Sequence, residues 1–99
     1  MRTAARIDGN HQAIVAALRK IGASAQSLAA VGKGCPDLVV GYRGINLLLE
    51  VKNPDADRGT PTKLNAAEQE FYETWAGQVA VVTSAEEAVR VVVEAARPR

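Results

Sequence analysis

The stretch Gly34-Cys35-Pro36-Asp37-Leu38-Val39-Val40-Gly41-Tyr42-Arg43-Gly44-Ile45-Asn46-Leu47-Leu48-Leu49-Glu50-Val51-Lys52 decides the fold. Two apolar runs, Leu38-Val39-Val40 and Leu47-Leu48-Leu49-Glu50-Val51, flank a tight turn at Tyr42-Arg43-Gly44-Ile45, the pattern of two buried strands in a hairpin. With Arg43-Gly44 as a two-residue loop, Tyr42 faces Ile45, Gly41 faces Asn46, and the pairing runs back until Asp37 faces Glu50. Side chains alternate along a strand, so Asp37, Glu50 and Lys52 share one face while Leu49 and Val51 point to the other. Opposed carboxylates repel unless something cationic lies between them. Lys52 supplies part of that charge, and a divalent hard cation held by carboxylate oxygens and water would supply the rest. The blander alternative is a strand end in which Asp37 caps a turn, Glu50 pairs with Lys52 and nothing binds. Both acids falling in one register favours a site.

Working outward, Ile14, Ala17, Leu18 and Ile21 recur at helical spacing, with Asp8 or Asn10 as cap and Gly22 as stop. A short strand is expected from Ala25 to Val31, fading into the loop Gly32-Lys33-Gly34-Cys35-Pro36, with Pro36 at the first position of the next strand. Asn53 to Lys63, with two prolines, a glycine and alternating charges, reads as a mobile loop. Asn65 and Glu68 have capping-box spacing at the start of a second helix, Phe71 and Trp75 mark its buried face, and Gly77 ends it. Val79 to Thr83 is a fourth strand. Ser84 caps a last helix whose Ala88, Val91, Val92 and Ala95 face inward. The order is α-β-β-β-α-β-α, an α/β sheet with helices packed on it.

The 99 residues, 47% hydrophobic and 23% charged, make one domain spanning 1–99 and exclude a disordered tail or a disulfide miniprotein. The longest uncharged run, Ile21 to Gly32, is too short and too polar to span a bilayer. No apolar segment follows Arg2 and Arg6, so no secretory signal is expected. A single cysteine points to a soluble protein of a reducing cytoplasm. Net charge is +1, but residues 1–34 set five cations against Asp8, while residues 64–96 set six glutamates against Arg90. That polarity is compatible with one anion-facing surface and one solvated acidic surface.

Gly34 to Gly41 followed by Leu47 to Lys52 is similar to the PD-(D/E)xK nuclease signature. The further run from Leu64 through Glu68-Gln69 to Phe71 and Trp75, then Val79 to Ser84, resembles the small stand-alone VRR-NUC branch found in phages and bacteria. The resemblance spans about Arg6 to Val93. It implies a restriction-endonuclease-like αβββαβ core with a mixed four-stranded sheet, and a DNA endonuclease dependent on Mg²⁺ or Mn²⁺. Asp37, Glu50 and the Val51 carbonyl would ligate the metal, which lowers the pKa of a bound water and neutralises phosphate charge. Lys52 would orient that water or stabilise developing negative charge. A polar residue on the helix after the core strands, Glu68 or Gln69, would join Asp37, Glu50 and Lys52 as a catalytic residue; spacing does not choose between them. Many relatives place a glutamate on the first helix, where this chain has Asn10-His11-Gln12-Ala13.

Arg6, Lys33, Arg58 and Lys63 are the candidate phosphate contacts. A single copy offers little surface to grip a duplex, and similar small relatives and archaeal Holliday-junction resolvases are dimeric, which makes a homodimer acting on branched DNA the expected form. The rival reading is a catalytically weak or inactive module of the same fold that binds DNA or a protein partner, favoured by the missing helix-1 acid. Cys35 reads as a small loop residue rather than a nucleophile.

Overall fold

The computed structural model describes residues 9–53 and 63–98. Its elements run α1 (Gly9–Lys20), β1 (Ser24–Ser27), β2 (Leu38–Tyr42), β3 (Ile45–Val51), α2 (Ala66–Thr74), β4 (Val79–Val82) and α3 (Ala85–Ala95). The hairpin forms in the expected register, with Tyr42 opposite Ile45 and Leu38 opposite Leu49. Arg43 and Gly44 both have positive φ, 51° and 85°, the type I′ geometry whose twist matches that of the strands. The Arg43 guanidinium lies over the Tyr42 ring at 5.4 Å.

The four strands form one mixed sheet in sequence order. β1, β2 and β3 are antiparallel neighbours, while β4 runs parallel to β3. Parallel pairing requires a crossover, which the segment containing α2 provides. One face of the sheet carries Leu38, Val40, Leu47, Leu49 and Val82, packed with Ile14 and Leu18 of α1 and Ala88 and Val92 of α3. This is the core, and it buries the apolar stripes of both helices. Glu50 pairs with Val81 in register on the opposite face, over which α2 lies. α2 has no buried residue, so the two faces are covered very unequally. Among the described residues no helix is long and apolar enough to cross a membrane.

Several boundaries differ from the sequence reading. β1 stops at Ser27 rather than Val31, because the Ser27 hydroxyl accepts the Ala29 amide and turns the chain; Val31 is exposed. Pro36 is buried but lies two residues ahead of β2. Asn10 is inside α1 rather than capping it, and Asp8 lies outside the described residues. α2 ends at Thr74, three residues before Gly77, where Trp75 turns extended and stacks on Phe71 with ring centroids 4.8 Å apart. Trp75 is 48% exposed and Phe71 half-buried, so the expected buried aromatic face is largely open. Ser84 caps α3 as expected, accepting the Glu87 amide, and Ala88 and Val92 are buried.

Candidate active site

Just beyond the last Leu38–Leu49 pair, Asp37 and Glu50 take the positions that oppose each other, as the two-residue turn requires. Asp37 is pinned there: its Oδ2 accepts the Val51 amide at 2.7 Å, and its backbone carbonyl accepts the Leu28 amide. The Val51 carbonyl lies on the same edge of the strand as its amide, hence beside Asp37. Among the described residues Glu50 is the one buried charged side chain, 6% exposed. Gly34, Pro36, Leu64, Phe71, Tyr72 and Val81 line the narrow cleft above it together with Glu68.

Lys52 sits at the centre of the charges. Its Nζ lies 2.8 Å from Glu68 Oε1 and 3.4 Å from Glu50 Oε2. Two carboxylates therefore flank one ammonium, and the third, Asp37, acts on Glu50. Burial pushes the Glu50 carboxyl up to about 8, with the charges of Asp37 and Glu68 adding to the effect against the pull of Lys52. A side-chain hydrogen bond with Glu68 adds to the rise. Burial would also raise Glu68, but its hydrogen bonds from Lys52 and the Asn65 amide outweigh burial and hold it below the usual range. For Lys52, burial is likewise overridden, by Glu68 and Glu50, and the ammonium is held more tightly than in water.

A proton on Glu50 would relieve the crowding of its charge with those of Asp37 and Glu68. The donors suit a hard cation in its place: carboxylate oxygens from Asp37 and Glu50, the Val51 carbonyl, and water. Among the described residues no three His, Cys, Asp or Glu side chains are arranged as a ready-made cage. Two carboxylates completed by water are the usual complement for Mg²⁺.

Glu68, and not Gln69, reaches this cluster. Gln69 is exposed and its amide donates to Glu73 at 2.6 Å. Glu68 also fills the capping-box position, accepting the Asn65 amide at 3.0 Å, so its structural and site roles fall on one carboxylate. The first helix reaches the site through Asn10, whose Nδ2 donates to the Lys52 carbonyl at 2.9 Å. The Asn65–Glu68 contact follows the expected capping box, whereas the reach of Asn10 to the Lys52 carbonyl and of Glu68 to Lys52 depends on how the helices dock, which no local spacing encodes. His11 and Gln12 line a separate groove with Val15, Arg19 and Ser27, away from the acids. The Cys35 thiol is pushed up by burial and by Glu50 and Asp37, which disfavours the thiolate a nucleophile needs.

Of the candidate phosphate contacts, Arg6 and Arg58 lie outside the described residues. Lys63 is exposed, ahead of α2. Lys33 is exposed beside Phe71, Ala67 and Thr74 of α2, on the sheet face that carries Glu50. Compared with protein-family models, with curated proteins and with solved structures, the chain matches none.

Proposed function

We propose that this protein is a metal-dependent endonuclease with a restriction-endonuclease-like core, hydrolysing DNA phosphodiester bonds at Asp37, Glu50 and Lys52. One observation carries the reading: opposed acids at a strand end, one of them buried at 6% exposure, with a lysine ammonium 3.4 Å away. A purely structural strand end would gain nothing from burying that carboxylate. When bound at Asp37, Glu50 and the Val51 carbonyl, Mg²⁺ or Mn²⁺ supplies a water of lowered pKa and neutralises phosphate charge. The chain supplies the rest. Asp37 is held rigid by the Val51 amide, and Asn10 fixes the end of β3 through the Lys52 carbonyl. Lys52 presents a compact cation to the attacking water and to the charge that develops on phosphate. A homodimer would double the site and extend the basic surface, and branched DNA is the substrate that such a pair suits.

The test is incubation with plasmid and synthetic four-way junctions in Mg²⁺, Mn²⁺ or EDTA. Cleavage with either metal, lost in EDTA and in Lys52→Ala, is expected. Wild-type turnover in purified Lys52→Ala would reduce Lys52 to a surface charge. The second reading, a DNA-binding module without turnover, is favoured by Asn10 standing where an acid would strengthen the metal site. A salt-sensitive gel shift without cleavage in any metal would select it.

A further inference from the structure

We infer that the capping box of α2 is a positioning device for Lys52, with Asn65 acting through Glu68. The chain of contacts is short and continuous. Asn65 Oδ1 accepts the Glu68 amide at 2.8 Å, and the Asn65 amide donates back to Glu68 Oε1 at 3.0 Å. The same Oε1 accepts Lys52 Nζ at 2.8 Å. A capping box ordinarily satisfies two orphan amides at a helix start and does nothing else. Here its carboxylate is shared, so the box that starts the helix also fixes the direction of the lysine.

Two further features make this more than a surface ion pair. The partners are mostly shielded from solvent, with 18% and 17% of the Lys52 and Glu68 side chains exposed. α2 also buries no side chain of its own, so the Glu68–Lys52 contact is a principal polar tie between this helix and the sheet. A lysine stem has four rotatable bonds, and an ammonium left without this partner would sample many positions. The inference rests on Lys52 acting at the reacting water, as proposed above, and makes Asn65 and Glu68 positioning residues.

Four variants test it: Asn65→Ala, Asn65→Ser, Glu68→Gln and Ser84→Ala. Glu68→Gln keeps a capping box, since glutamine serves at that position, but removes the ion pair. Ser84→Ala removes the equivalent cap of α3, where the hydroxyl accepts the Glu87 amide at 3.1 Å and the Glu87 carboxylate holds Thr83 rather than a lysine. Plasmid cleavage in Mn²⁺ gives kcat and KM, and modification by an amine reagent followed by mass spectrometry gives the labelling rate of Lys52. Asn65→Ala and Glu68→Gln should lower kcat about ten- to a hundredfold at nearly constant KM, and label Lys52 several-fold faster. Asn65→Ser should restore both, and Ser84→Ala should lower Tm while moving neither. Unchanged Lys52 labelling in folded Glu68→Gln overturns the inference, and so does faster labelling with wild-type kcat. If the wild type cleaves nothing, the proposed nuclease activity fails. Faster labelling in both variants would then leave the Asn65–Glu68 hold on Lys52 standing as structure, whereas unchanged labelling would refute it as well.

Discussion

Glu50 is where a single residue sets the conditions under which the protein is stable. Its folded pKa, about 8, lies above the ordinary 4.5, so between those values the folded state holds a proton that the unfolded chain has released. Stability from this group is fully present below about pH 4.5 and is lost as pH rises through about 8. The metal-free protein should therefore melt at progressively lower temperature across that window, and Glu50→Gln should flatten the decline. One pKa unit is worth about 1.4 kcal/mol, and discounting for residual solvation leaves a gain on the order of 1–3 kcal/mol for Glu50→Gln above pH 8 in EDTA. Thermal melts of both proteins across pH check it; parallel curves would show that Glu50 is not strained. Mg²⁺ should raise the wild-type Tm by binding the native state, and Asp37→Asn should abolish most of that rise. An unchanged metal shift in Asp37→Asn would remove Asp37 from the site. The Asp37–Glu50 opposition was legible because a two-residue turn leaves one register. Glu68 against Gln69 was not, since adjacent helix residues point 100° apart and only the docking of α2 selects one.

Among the elements, α2 is the one whose placement depends on the fewest contacts. Phe71 and Trp75, four apart, correctly share one side of the chain, but spacing says nothing about whether that side is covered. Trp75 leaves the helix and stays half open, and the sheet face beneath is spanned by a narrow cleft. What brings α2 close is the loop before β2. Gly34 has φ +80°, and a Cβ there would stand 2.5 Å from the Ala67 carbonyl oxygen. Backbone cannot yield as a flexible side chain would. Gly32 shares the left-handed conformation, φ +72°, with nothing within 4 Å of its would-be Cβ. Gly32→Ala should therefore cost only the backbone strain, about 1–2 kcal/mol. Gly34→Ala should cost more, by about 1–3 kcal/mol of overpacking, and should loosen the Glu68–Lys52 contact as α2 is pushed away. Urea titrations of the two variants measure the difference, and equal losses would mean that α2 moves aside freely.

At the scale of the molecule, the order of elements was readable because each carried its own punctuation: the Arg43-Gly44 turn, the Asn65 and Ser84 caps, the stop at Gly22. Which helix covers which face of the sheet was not, because charge and periodicity do not fix layer assignment. The structure places α1 and α3 over the apolar face of Leu49 and leaves the face of Glu50 to α2. Lys33 lies on that second side, beside Phe71. Arg90 belongs to α3, in a groove with Glu94 and Arg97, across the sheet from the acids. If DNA approaches Glu50, the cations that matter are those on its side. Each true phosphate contact contributes about −0.9 to the slope of log K against log salt for B-form DNA. Charge reversal at Lys33 and at Lys63 should weaken binding to every sequence and make that slope shallower, while the metal-induced rise in Tm stays intact. Arg90→Glu should change neither quantity. Binding measured over a range of salt concentrations decides the matter. If Arg90→Glu weakened binding as much as the two lysine reversals, DNA would have to reach across the α3 face, and the face that carries Glu50 could not be the one that meets the duplex.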